Sequence, residues 1–156
     1  MKMREFRIRP AEADDYAGLV ALWEASVRET HTFISEKDIR FYASKMEDTY
    51  FPEVLLMIMK TTNEHHIIGF SGSIGNRIEM LFLHPDYMHQ GYGRAFINYL
   101  VDYQNTCLVD VNEQNTNALA FYQKMGFEVI ARVAEDAEGK PYPILKMMLN
   151  HPPAEE

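Results

Sequence analysis

Leu81-Phe82-Leu83-His84-Pro85-Asp86-Tyr87-Met88-His89-Gln90-Gly91-Tyr92-Gly93-Arg94-Ala95 is the stretch that decides how this chain reads. Ile78, Met80 and Phe82 alternate with Glu79, Leu81 and Leu83, the period of a strand. Pro85 stops it, a short loop follows, and Gly91-Tyr92-Gly93 opens a helix through Phe96, Ile97, Leu100 and Val101. Backbone N–H groups at a helix N-terminus form a ready anion site. The missing side chains of Gly91 and Gly93 let a phosphate approach the backbone closely. A lone pair of glycines marks a turn as readily as a site. No third glycine stands at Phe96, so the dinucleotide fingerprint is not met.

Working outward, Phe6 and Ile8 alternate with Arg7 and Arg9 as a strand that ends at Pro10. Asp14 and Asp15 then stand before Leu19, Val20, Leu22, Trp23 and Val27, an apolar face at helical spacing with acids at its start. Ser35 and Asp38 suit a helix N-terminus followed by Ile39, Tyr42 and Met46. The apolar run Val54 to Met59 reads as a buried strand, and His66 to Phe70 returns after an Asn63-Glu64 turn. Cys107-Leu108-Val109 starts another strand. Asn115 is placed to cap a helix through Leu119, Phe121 and Tyr122, and Gly126 to end it in a left-handed conformation. Phe127 to Val133 and Ile144 to Leu149 are the last two strands. The order β-α-α-β-β-β-α-β-α-β-β predicts a mixed sheet with helices on its faces, an α+β or α/β domain.

The chain has 156 residues, 47% of them apolar and 24% charged, the balance of one ordinary globular domain. We expect a single domain over residues 1–150 and a fraying polar tail over 151–156. No apolar run approaches the ~20 residues of a membrane helix, and the N-terminus has no apolar signal core. A net charge of -8 argues against nucleic acid as a partner. The single cysteine, Cys107, excludes an internal disulfide and suits a reducing cytoplasm. It reads as a buried hydrophobe rather than a nucleophile. The six histidines show no metal-ligand spacing with acids, so no metal is expected.

A second block, Asp110-Val111-Asn112-Glu113-Gln114-Asn115-Thr116-Asn117-Ala118, leads into Ala120-Phe121-Tyr122-Gln123-Lys124-Met125-Gly126-Phe127. Together the two blocks resemble the GNAT superfamily of acetyl-CoA-dependent N-acetyltransferases. Its phosphate motif, (Arg/Gln)-x-x-Gly-x-(Gly/Ala), falls on Met88 to Gly93, with Met88 where Arg or Gln is usual. Its later pattern, Asn-x-x-Ala-x-x-x-Tyr-x-x-x-Gly-Phe, matches at Asn115, Ala118, Tyr122, Gly126 and Phe127. Trp23, Ser26-Val27, Thr30-His31, Phe33 and Gly139-Lys140-Pro141-Tyr142-Pro143 are similar to a bacterial branch of the YjaB type.

The resemblance implies a central mixed, mostly antiparallel sheet of about seven strands flanked by about four helices. It implies acetyl-CoA as cosubstrate and an amine-bearing small molecule, peptide or protein as acceptor, with a homodimer common for the fold. The peptide groups of Leu81, Phe82 and Leu83 would pair with the pantetheine arm, one N–H facing the thioester oxygen like an oxyanion-hole donor. The backbone of His89, Gln90, Gly91, Tyr92, Gly93 and Arg94 would cradle the pyrophosphate. Asn115 would add a polar contact to its capping role. Tyr122 would protonate the departing thiolate, a step that needs positioning because a phenol pKa is near 10 and a thiol pKa near 8.5.

The attacking amine must lose a proton. Glu79, on the strand face shared by Leu81 and Leu83, and Asp110, on the next strand, are the candidate bases, directly or through a water. His31 lies between the first two helices, where it either packs locally or titrates beside substrate. Two other classes compete with the enzyme reading. One is a catalytically idle acyl-CoA-binding module, suggested by Met88. The other is a nucleotide-binding module using the same glycines.

Overall fold

The computed structural model describes residues 3–150, so the expected tail at 151–156 lies outside the described residues. The elements are β1 (Phe6–Pro10), α1 (Tyr16–Thr30), α2 (Glu36–Lys45), β2 (Leu55–Thr61), β3 (Ile67–Ile74), β4 (Arg77–Leu83), α3 (Tyr92–Gln104), β5 (Leu108–Asn112), α4 (Thr116–Lys124), β6 (Phe127–Val133) and β7 (Ile144–Leu149). The seven strands are ordered β1-β2-β3-β4-β5-β7-β6. Pairs β1–β2, β2–β3, β5–β7 and β6–β7 are antiparallel, whereas β4 and β5 run parallel. The expected mixed sheet with four helices is what forms.

The chain divides into two compact units, one holding the residues up to Ile74 with Glu79–Ile97, the other holding Gly75–Ile78 with the residues from Asn98 on. In the first unit Leu19, Leu22, Trp23 and Val27 line one face of α1 and pack with Ile39, Met46, Phe51, Leu56, Ile58 and Phe70. The predicted helical stripe on α1 is thus the core stripe. Ser35 caps α2, its hydroxyl accepting the Asp38 N–H at 3.2 Å. Past Lys45 the helix widens into one π turn, Met46–Tyr50.

In the second unit β5 is paired to β4 only through Arg77↔Leu108 and Ile78↔Val109. Val109, Phe127 and Met147 are almost wholly buried. Several boundaries differ from the sequence reading, the strand expected over Val54 to Met59 spanning Leu55–Thr61 and the one expected to end at Phe70 running on to Ile74. The strand expected at His66 begins at Ile67, and Cys107 precedes β5 and is half-buried, not fully buried. The Asn76 side-chain amide reaches its sulfur at 3.1 Å, an opening to polar surroundings that sequence hydropathy does not reveal.

Asn115 caps α4 as expected, Oδ1 accepting the Ala118 N–H at 3.1 Å. Asn115→Ala should lower stability by about 1 kcal/mol, whereas Asn115→Asp should keep most of it. Thermal midpoints of the two variants check this, and equal midpoints would refute the cap.

Candidate active site

The first unit carries β4 and the loop behind it. Phe82 is held by aromatic rings, its centroid 5.7 Å from Phe70, 6.1 Å from His31 and 6.5 Å from Trp23. Gly69, on β3, lets β4 come unusually near: a Cβ there would lie 2.6 Å from the Phe82 carbonyl oxygen and from Leu83 Cδ2. The Phe82 peptide is therefore fixed from both its side chain and its backbone. Glu79, half-buried, stands on this strand.

After β4, Pro85–Tyr87 form one tight turn. His84 Nδ1 accepts the Asp86 N–H at 3.0 Å, and Gln90 Nε2 donates to the Asp86 carbonyl at 2.9 Å. His89 and Gly91 both take left-handed backbone, with φ of 60° and 98°. Left-handed residues among right-handed ones turn successive N–H groups toward one concavity, a nest that suits an anion. Tyr92 offers only its peptide group to such an anion. Its side chain is 1% exposed, its hydroxyl accepts the Arg4 N–H at 2.6 Å, and its ring meets Phe6 and Tyr87 edge-on. The aromatic ring thus anchors the start of α3. Arg94 is exposed in the first turn.

The second unit carries the other candidates. Asp110 on β5 faces Lys146 on β7 through the strand register, and Lys146 Nζ lies 2.9 Å from Asp110 Oδ2. Arg77 Nε is 3.8 Å from the same oxygen. Both cations lie on the same carboxylate oxygen, so the Asp110 side chain is held in an ion-pair cluster. Tyr122, on α4, is 6% exposed and meets Phe121 and Phe127 edge-on. Burial pushes its phenol well above the ordinary range, so it stays protonated at neutral pH. No hydrogen bond engages its hydroxyl among the described residues.

His31 is packed, not exposed to substrate. It ends α1, is 7% exposed, and sits between Phe33 and Phe82 with Nδ1 2.7 Å from Thr30 Oγ1. Burial lowers its pKa to about 4. The unfolded chain therefore takes up a proton near pH 6.5 that the folded chain refuses until about pH 4. Stability is unaffected above that window and falls as pH drops through it, by roughly 3 kcal/mol in total. His31→Gln should flatten urea midpoints between pH 6.5 and 4.5, and an unchanged slope would remove His31 as the cause.

In the first unit a fixed β4 leads into a loop with two left-handed residues; in the second, Asn115 caps the helix that carries the buried Tyr122. A model of the GNAT acetyltransferase domain matches residues 57–129. The peptidyl-lysine N-acetyltransferase YjaB of Salmonella typhimurium is 34% identical over 144 residues, 90% of this chain and 96% of that protein. The solution structure of the apo form of YjaB from Escherichia coli matches with a TM-score of 0.85 at 31% identity, covering 93% of this chain and 97% of that one. The PaiA N-acetyltransferase of Thermoplasma acidophilum, solved with coenzyme A, shares the fold at a TM-score of 0.68 and 21% identity, over 91% and 98% of the two chains. This chain belongs to the GNAT acetyltransferase family, and it is an N-acetyltransferase whose acetyl donor is acetyl-CoA.

Sequence reasoning missed Gly69. Its only sequence signal is a glycine within an apolar strand, which marks a bulge or a close backbone approach. It also missed a grouping of Arg4, His65, His66 and His84 about one cavity. No sequence pattern announces that grouping, because four segments far apart in the chain build it.

Proposed function

We propose that residues 1–150 act as one domain that acetylates lysine side chains of peptides or proteins in the cytoplasm, as a monomer or a homodimer. The observation that carries this reading is the identity to a peptidyl-lysine N-acetyltransferase over 90% of the chain. The left-handed conformations of His89 and Gly91 and the rigid Phe82 peptide support it chemically. The net charge of -8 suits a cationic acceptor.

In this reading the N–H groups of His89 to Arg94 hold the pyrophosphate, and Asn115 contacts the cofactor arm. The Leu81–Leu83 peptides align the arm, and an N–H beside Phe82 holds the oxygen on which charge develops. Binding both reactants together provides the proximity that direct amine attack needs. Glu79 takes the ammonium proton, directly or through a water, because Asp110 is committed to Lys146 and Arg77. The Tyr122 hydroxyl gives its proton to the departing thiolate.

Release of free CoA thiol from acetyl-CoA tests the reading against lysine peptides, peptides with only a free N-terminus, polyamines and aminoglycosides. Release above the no-amine control with lysine peptides is the expected result. Release with another class alone would replace the acceptor. No amine-dependent release from protein that binds acetyl-CoA would favour the idle binding module.

A further inference from the structure

At the end of α1 the Ser26 carbonyl, Thr30 and His31 form a hydrogen-bond chain that no step of the transfer uses. Thr30 Oγ1 lies 2.8 Å from the Ser26 carbonyl oxygen and 2.7 Å from His31 Nδ1. A hydroxyl has one proton, and a carbonyl oxygen can only accept. Thr30 therefore donates to Ser26, and His31 Nδ1–H donates to Thr30. The chain selects one tautomer of the neutral imidazole, with the proton on Nδ1 and the lone pair on Nε2. The main chain of His31 is held as well. Its N–H donates to the Val27 carbonyl at 2.7 Å, and its carbonyl accepts the Ile34 N–H at 3.0 Å. A satisfied polar chain of this kind rigidifies the groups it joins.

The imidazole so held is wedged between two other rings. Phe33 lies 5.3 Å away on one side and Phe82 lies 6.1 Å away on the other, inclined at 47° and 45°. Phe70 and Trp23, the other rings against Phe82, belong to the apolar core. His31 brings a directional anchor to the same ring. An apolar side chain would fill its place without the loss of stability at acid pH, so packing alone does not call for an imidazole there. What the imidazole adds is an angle set by a hydrogen bond. We propose that Thr30 and His31 are positioning residues for the acetyl transfer: the chain sets the imidazole, the imidazole sets the Phe82 ring, and the ring sets the peptide that faces the thioester oxygen. This inference rests on the oxyanion role given above to the N–H beside Phe82.

Initial rates of CoA release with a lysine peptide, taken well below the thermal midpoints, test it on wild type, Thr30→Val, Thr30→Ser, His31→Phe and the double variant. Thr30→Val keeps the side-chain shape and removes the acceptor. Its kcat should fall about tenfold, the worth of one hydrogen bond, with KM for acetyl-CoA within a factor of about two. Thr30→Ser keeps the hydroxyl and should restore kcat. His31→Phe keeps a ring and loses the Nδ1–H, so its kcat should fall as far as that of Thr30→Val. Combining Thr30→Val with His31→Phe should be no slower than either alone, because the two residues act as one unit. A merely structural chain would lower the melting temperature and leave kcat of the folded protein unchanged, and that pattern overturns the proposal. Equal losses in Thr30→Val and Thr30→Ser, or losses that multiply in the double variant, overturn it too. The nitrogen-15 spectrum of the wild-type imidazole at neutral pH checks the chain without any variant. The proton should sit on Nδ1, and a proton on Nε2 overturns the chain. Wild type that releases no CoA with any amine sinks the transferase reading, whereas active wild type whose turnover ignores Thr30 sinks this inference alone.

Discussion

Tyr122→Phe is expected to lower kcat about 100-fold, the lower end of what a positioned general acid contributes. Acetyl-CoA affinity should stay within a factor of about three, because only one hydroxyl is lost. The same variant should fold as well as wild type. Its hydroxyl has no hydrogen-bond partner among the described residues, and the ring packing against Phe121 and Phe127 survives the change. A structural tyrosine would show the opposite pattern, with stability lost and turnover kept. Single-turnover CoA release, isothermal calorimetry with acetyl-CoA and a thermal melt separate the two. Wild-type turnover in the variant would remove Tyr122 from the mechanism.

Gly69→Ala should be the most damaging single methyl group in the first unit. The added carbon would lie 2.6 Å from the Phe82 carbonyl oxygen, and backbone cannot swing away as a side-chain end can. Strand β4 must shift, at about 3 kcal/mol, the upper range for overpacking. For a chain of this length that is roughly a 10 °C fall in the thermal midpoint. Turnover should fall further than stability explains, because a displacement of about 1 Å at a reacting group can cost about 100-fold. Gly75→Ala is the control. That glycine has φ of 58° and no atom within 4 Å of its would-be Cβ, so it bears only the left-handed cost of about 1 kcal/mol. Equal melting shifts in the two variants would show that the Gly69 contact relaxes freely.

Much of the architecture was legible because its signals are local. The α1 stripe of Leu19, Leu22, Trp23 and Val27, the caps at Ser35 and Asn115, and the left-handed Gly126 each follow from residues within a turn or two of one another. The anion loop was legible from Gly91 and Gly93, but the left-handed backbone of His89 was not, because histidine takes that conformation only where its surroundings require it. Tyr92 read as part of the loop. Its ring is instead an anchor that joins Phe6 and the Arg4 N–H, partners more than 80 positions away.

The division between the two kinds of information follows contact range. Periodicity and capping act within a few residues, so pattern alone determined the order of elements, while the resemblance of two motifs to a known family supplied the family and the candidate residues Glu79, Asp110, Asn115 and Tyr122. Strand register and packing decided what those residues meet. Opposing Asp110 to Lys146 is a matter of register, and a slip of β7 by one residue would send Lys146 to the other face of the sheet. The neutral state of His31 follows from burial among rings contributed by different elements. The approach of β3 to Phe82, and the meeting of Arg4 with His65, His66 and His84, exist only once distant segments pack. Close packing makes such contacts specific without leaving any local trace in the chain.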